Sequence, residues 1–238
     1  MPVGTFERHE IKFILNSQQR HYLECTVCSR LRPDEHGEST VCNIYYDTPD
    51  YLLVRRSLDR PVYKEKIRLR SYGPVWGEAP VFLELKKKYD GVVYKRRIEL
   101  PLEEAEAFLD GASDRLPDCQ IGREIEYFCH SYRNLEPAVH LSYERCAFYD
   151  RTDPDLRLTF DRNIRWQTED CRLSALPFGR SLLAPGESLL EIKTASALPL
   201  WLVSVLSEAE IRKNSFSKYG TAYLAMLQYD RMRGVSCA

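Results

Sequence analysis

The chain has 238 residues, 44% of them hydrophobic and 29% charged, enough for one large domain or at most two small ones with a substantial core. Its 34 lysines and arginines balance 35 aspartates and glutamates, for a formal net charge of -1. That balance argues against a general nucleic-acid coat, which would show as an overall basic domain.

Met1-Pro-Val-Gly4 leads almost directly into charged sequence, so no secretory leader is expected. The longest apolar run, Ala197 to Leu206, is too short to span a bilayer and contains Pro199, so no membrane segment is expected. Eight cysteines are scattered, and Cys25-x-x-Cys28 is the one close pair. With no second pair or histidine cluster beside it, zinc is not expected. Free thiols in a reducing cytoplasm are.

In chain order, Phe6 to Leu15 alternates, with Arg8, Glu10 and Lys12 opposite His9, Ile11, Phe13 and Leu15, which predicts a strand. Asn16-Ser17 offers caps for a helix from Gln18 to Leu31, ended by Arg32-Pro33. Val41 to Asp47 is a tyrosine-rich strand, Asp47-Thr-Pro49 a turn, and Asp50 to Leu58 a short helix carrying Arg55 and Arg56. Three strands follow, Tyr63–Tyr72, Val81–Tyr89 and Val92–Leu100. In the first, Lys64, Lys66, Arg68 and Arg70 share a face; in the second, Glu84, Lys86 and Lys88; in the third, Lys95, Arg97 and Glu99. Asp90-Gly91 predicts a tight hairpin between the last two. Cations stacked on neighbouring strands repel one another, so water or a polyanion must compensate them.

Pro101-Leu102 starts a helix ending at Gly111, and Gly122 to Leu135 forms another. Val139–Tyr149 is a strand with Leu141, Tyr143, Arg145 and Ala147 on one face. Leu156–Asp161 places Arg157, Thr159 and Asp161 opposite Leu156, Leu158 and Phe160. Leu189–Thr194 places Glu191 and Lys193 opposite Leu190 and Ile192. Helices near Pro199–Glu208 and Ser217–Arg233 close the chain. About eight strands with one apolar and one charged face, and modest helices between them, predict an α+β fold. In it a closed antiparallel barrel forms a charged tunnel, with the helices outside. A cationic lumen cannot stay dry and empty, so it is expected to hold water or phosphate.

The sequence has no phosphate-cradling glycine loop, no dinucleotide fingerprint, no zinc-protease pattern and no convincing Ser-His-Asp set. His9 and His140 read as structural residues. Glu10-x-Lys12, Glu84-x-Lys86 and Glu191-x-Lys193 repeat one arrangement on three strands. A carboxylate beside a lysine suits metal-bound phosphate: the acid carries a hard divalent cation and the ammonium takes remaining oxygens.

Seven ordered segments, Phe6–Lys12, Asn43–Thr48, Lys66–Gly73, Phe82–Lys86, Ser142–Phe148, Leu190–Lys193 and Ser215–Tyr219, resemble the motifs of the polyphosphate polymerase domain of the vacuolar transporter chaperone family. That family belongs to the triphosphate tunnel metalloenzyme, or CYTH-like, superfamily. The resemblance runs from about residue 6 to 225 and implies a barrel whose tunnel binds the triphosphate of ATP and a growing polyphosphate chain. It implies phosphate-binding cations at Lys12, Arg68, Arg70, Lys86, Lys95, Arg145, Arg157 and Lys218. Tyr143 then matches a tunnel-lining tyrosine, Ser217 lies beside the matching lysine, and Glu191 matches a carboxylate for Mn²⁺ or Mg²⁺. Arg55 and Arg56 both fall near a further family arginine. The phosphate-sensing domain and membrane helices of eukaryotic relatives are not expected here, although a membrane-protein partner remains compatible with the resemblance.

Three functions compete. The first is transfer of the γ-phosphoryl of ATP onto polyphosphate, with Arg68, Arg70, Lys86, Arg145, Arg157 and Glu191 as the catalytic set. The second is a tripolyphosphatase or nucleoside triphosphatase of the same fold, favoured if Glu10, Glu84 and Glu99 recruit a second metal. The third is a non-catalytic binder of polyphosphate, inositol phosphates or nucleic acid, in which Tyr45, Tyr46, Tyr72, Tyr89 and Tyr94 would act as aromatic platforms. The near-neutral charge and repeated carboxylates speak against nucleic acid.

Overall fold

In a computed structural model of the protein, residues 9–90, 92–113, 115–132, 134–176 and 179–232 are described. The elements are β1 (His9–Leu15), α1 (Ser17–Val27), β2 (Leu31–Asp47), α2 (Leu52–Leu58), β3 (Tyr63–Tyr72), β4 (Pro80–Tyr89) and β5 (Val92–Pro101), then α3 (Leu102–Leu109) and α4 (Gln120–Ser131). β6 (Glu136–Asp150), β7 (Arg157–Gln167), β8 (Arg180–Ser181), β9 (Ser188–Thr194), α5 (Leu200–Glu208) and α6 (Lys218–Met232) complete the chain. Backbone hydrogen bonds order the strands β1-β9-β7-β6-β2-β3-β4-β5, with β8 on β7. The expected α+β fold is thus a mostly antiparallel sheet with six helices, and its ladder is not closed by hydrogen bonds among the described residues.

The chain forms two compact units: Met1–Thr40 with Tyr143–Ile164 and Leu183–Phe216, and Val41–Ser142 with Arg165–Leu182 and Ser217–Ala238. In the first unit β1 pairs antiparallel with β9 and β9 with β7. Phe13, Leu15, Leu158, Phe160, Leu190 and Ile192 turn to a core closed by Leu23 and Val27 of α1 and by Leu202, Val205 and Leu206 of α5. The Asn16 side chain accepts from the Gln19 backbone N–H while Gln19 reciprocates, the capping box that starts α1.

In the second unit β2, β3, β4 and β5 form an antiparallel meander. Alternation divides it cleanly. Ile44, Tyr46, Ile67, Leu69, Leu83, Leu85, Ile98 and Leu100 pack with Ala105 and Phe108 of α3 and Ile125 and Phe128 of α4. The other face carries the cations. Helix α3 stops where expected, at Asp110 followed by Gly111 with a left-handed φ of 74°.

Differences lie in the polar segments. Helix α1 ends at Val27, not Leu31, and β2 begins at Leu31, ten residues before the expected strand. Arg32-Pro33 therefore lies inside a strand. The segment Leu31–Thr40 is rich in charge and offers no apolar face, so alternation could not flag it. Likewise β7 runs six residues past Asp161, to Gln167. Helix α4 ends at Ser131, with Tyr132 already in extended backbone. Gly91 of the expected hairpin turn, Phe6–Arg8 of the first strand and Arg233 of the last helix lie outside the described residues. The strands on either side of that turn pair from Tyr89↔Val92 onward. All seven described cysteines are free, and no helix among the described residues is long and apolar enough to cross a membrane.

Candidate functional site

Register sets the charged face of the second unit. Arg68 of β3 lies opposite Tyr45 of β2 and Glu84 of β4, and Glu84 lies opposite Arg97 of β5. The next row along is Lys66↔Lys86↔Lys95, three ammonium side chains on adjacent strands. Strands sit about 4.8 Å apart in the pairing direction, so this row concentrates positive charge at the spacing of a compact polyanion.

Glu84 is the hub, with 1% of its surface exposed. Arg68 donates to its Oε2 through Nη2 at 2.6 Å and Nε at 2.8 Å, and Arg70 Nη1 stands 3.8 Å from the same oxygen. Lys95 Nζ lies 2.6 Å from Oε1 and Arg97 Nε 3.7 Å. Burial alone would raise the Glu84 carboxyl, yet Arg68, Arg70 and Lys95 outweigh it and hold the group well below the carboxylate range. Lys95 goes the other way: desolvation, reinforced by the neighbouring guanidiniums, pushes its ammonium down to about 8 against the pull of Glu84.

Outer contacts fix the arginines. Arg68 Nη1 donates to the Tyr45 hydroxyl at 2.9 Å, and Arg70 Nε to Asn43 Oδ1 at 2.9 Å. Asn43 in turn donates to the Leu141 carbonyl. Burial would raise the Tyr45 phenol, but Arg68 and Arg70 bring it below its usual value. Its ring stacks on Tyr219 at 4.7 Å, and the Tyr219 hydroxyl donates to Asp47. Asp47 also accepts from the Leu53 and Val54 backbone N–H groups at the start of α2. Ser217 caps α6 by accepting from the Gly220 N–H, and Lys66 Nζ donates to the same hydroxyl at 3.1 Å. Lys218, the first residue of α6, is buried, which places an ammonium at a helix N-terminus otherwise suited to anions.

The first unit holds a second cluster. Arg145 of β6 forks onto Asp161 of β7, Nε to Oδ1 at 2.6 Å and Nη2 to Oδ2 at 2.7 Å, and donates to Glu191 Oε2 of β9 at 2.9 Å. Lys12 of β1 bridges Glu191 Oε1 at 3.2 Å and Glu10 Oε1 at 3.1 Å. Burial works against both cations. For Lys12 the two carboxylates overcome it; for Arg145 Tyr143, Asp161 and Glu191 do. Both stay charged far above their ordinary range. Arg145 also stands 5.1 Å over the Tyr143 ring. Arg157 is held separately, by Asp34 at 2.8 Å and over Tyr149 at 5.0 Å.

Of the residues expected in the site, Arg68, Arg70 and Lys95 meet on Glu84, with Lys86 in the adjoining row and Ser217 on Lys66. Lys12, Arg145, Tyr143 and Glu191 meet in the first unit, and Arg157 stands on the same face of β7 as Asp161. Arg55 sits on α2, half exposed and paired with Asp50. Sequence reasoning missed Asp161 and Asp34 as counter-ions, and Asn43, Tyr45 and Asp47 as supports. Parity already put Asp161 with Arg157, but only register reveals which cation it meets.

Among the described residues no group of three or more metal-ligating side chains is present. Glu10 and Glu191 nonetheless offer hard oxygens on either side of one ammonium. An ion of the magnesium type needs only one or two carboxylates, with substrate phosphates completing its shell. These residues fit such an ion.

The VTC domain family model matches residues 7–227. Vacuolar transporter chaperone complex subunit 4 of Trypanosoma brucei brucei is 27% identical over 223 residues, covering 73% of this chain and 28% of that protein. Its Trypanosoma cruzi namesake is 23% identical, covering 71% and 27%. The chain thus spans little more than a quarter of these curated relatives. A proposed adenylate cyclase of Bacillus halodurans superposes with a TM-score of 0.57 at 16% identity, over 89% of this chain and 95% of that one. Another, of Vibrio parahaemolyticus, gives 0.53 at 12% identity, over 92% and 99%. Those two likenesses concern the fold alone. With a family model matched across nearly its whole length, the chain belongs to the VTC domain family.

Proposed function

We propose that this protein is an ATP-dependent polyphosphate polymerase. The observation that carries the reading is the convergence of Arg68, Arg70 and Lys95 on one buried carboxylate beside the Lys66–Lys86–Lys95 row, in a chain of this family. In the reaction, an oxygen of the terminal phosphate of the acceptor chain forms a bond to the γ-phosphorus of ATP. The bond from that phosphorus to the β–γ bridging oxygen breaks, and ADP leaves with the electron pair. The nucleophile is the substrate's own phosphate, so the protein contributes position and charge, not a covalent intermediate. Arg68 and Arg70 suit two-pronged contacts to phosphoryl oxygens, while Lys86 and Lys95 act as point charges. Lys12, Arg145, Arg157, Tyr143, Ser217 and Lys218 are assigned phosphate-binding or supporting roles. A divalent cation, Mn²⁺ or Mg²⁺, would be held in the first unit by Glu191 with Glu10 beside it, and would supply charge neutralisation to phosphate oxygens there.

The hydrolase alternative asks Glu10, Glu84 and Glu99 to recruit a second metal. The test is purified protein with ATP and Mn²⁺, its products run on a gel stained for polyphosphate. Long polymer is expected; orthophosphate alone would point to the hydrolase. Arg70→Ala should lower kcat/KM roughly 10²-fold, the cost of removing one preorganised donor.

A further inference from the structure

At one end of the charged face in the second unit the cations give way to rings. Phe82 lies in the row Arg70↔Phe82↔Glu99, one pair along from Arg68↔Glu84↔Arg97, so its side chain shares that face. Arg97 reaches back over it, with its guanidinium carbon 3.4 Å from the ring centroid. Tyr72 is edge-on to Phe82 at 5.8 Å, stands 5.9 Å from Arg97 and is 50% exposed. Arg97 therefore belongs to both neighbourhoods: its Nε is 3.7 Å from Glu84 while its plane rests on Phe82.

We propose that Tyr72, Phe82 and Arg97 form a stacking shelf for the base of a nucleoside triphosphate whose phosphates lie on the Arg70–Lys66 side of the same sheet. The inference rests on the proposed use of ATP and adds where its base is held. A guanidinium supported on an aromatic ring presents its outer face to a planar group, and an exposed tyrosine beside it extends that surface; bases stack on both kinds of plane. Distance agrees. Tyr72 lies two residues beyond Arg70, about 7 Å along the strand, leaving room for a ribose between base and first phosphate. The Lys66 row lies about 13 Å beyond Arg70 in the opposite direction, so an extended triphosphate meets cations along its length. A shelf made of planes reads the presence of a base more than its identity.

Calorimetric titration with ATP and with inorganic tripolyphosphate, on wild type, Tyr72→Ala and Tyr72→Phe, tests this. Tyr72→Ala should weaken ATP about tenfold, the scale of one lost stacking partner. It should leave tripolyphosphate unchanged, and Tyr72→Phe should restore ATP. Equal weakening of both ligands, or no change in either, overturns the shelf. Wild-type protein that binds tripolyphosphate but gains nothing from the nucleoside also overturns it while sparing the phosphate face. Wild type that binds neither removes the proposed function and the shelf together.

Discussion

At the scale of single residues the site works by opposing shifts. Glu84 and the cations around it are each costly to bury alone, and a buried carboxylate is tolerable only with its charge and lone pairs met. Arg68, Arg70 and Lys95 offset its charge, but three or more cations around one anion leave surplus positive charge. Lys95, 42% exposed at its side chain, carries the consequence, with an ammonium pushed down to about 8. As pH rises through that value the free protein loses this cation before its guanidiniums are touched. Binding of tripolyphosphate should therefore weaken between about pH 7 and pH 9, with its bend near 8. Lys95→Arg, which stays charged across the range, should flatten the profile. A titration series by calorimetry reads both; an unchanged bend in the variant would assign the titration to another group. None of these opposing partners was legible from sequence. Alternation placed Arg68, Arg70 and Lys95 on one face, yet the choice of Glu84 over Glu99 as their common partner depends on register, which spacing within a strand does not encode.

Among the elements, legibility followed chemistry. Strands β3, β4 and β5 alternate hydrophobic and charged side chains, so both their existence and their faces could be read from period alone. The first half of β2 could not, because residues 31–40 present polar groups on both sides, and β8 has two residues. Strand β6 carries a different exception. Its buried His140 and Ser142, two apart and so on one face, have ring nitrogens and a hydroxyl without hydrogen-bond partners. Burial drives the His140 imidazole down to about 4, against a little pull upward from Asp170. The unfolded chain takes up this proton near pH 6.5 and the folded one only near 4. Stability is thus complete above pH 6.5 and falls as pH drops toward 4. The loss should approach about 3 kcal/mol, the worth of the gap between those two values. Urea unfolding across that range should show the slope in wild type and its removal in His140→Leu. Equal slopes would mean that other groups govern acid sensitivity.

For the whole molecule, the net charge of -1 hides a strong internal sorting of sign. Each unit gathers cations around carboxylates: Arg68, Arg70 and Lys95 on Glu84 in one, Lys12 and Arg145 on Glu191 in the other. Such a molecule has little long-range field to attract a polyanion, and its selectivity must arise at contact. At contact the favoured ligand is one whose charges are dense enough to replace the carboxylates as partners of the clustered cations. Contiguous phosphates meet that demand along the Lys66–Lys86–Lys95 row. A nucleic-acid strand spreads its charge over intervening sugars and brings each phosphate against acids as well as bases. Fluorescence-polarisation competition against a labelled polyphosphate should therefore show displacement by unlabelled polyphosphate and by tripolyphosphate. A single-stranded oligonucleotide at equal phosphate concentration should displace little. The preference should persist at about 0.15 M salt, where charges more than about 8 Å apart are largely screened and only direct pairs still count. Comparable displacement by the oligonucleotide would show instead that the face reads charge alone, and would return the chain to the class of general polyanion binders.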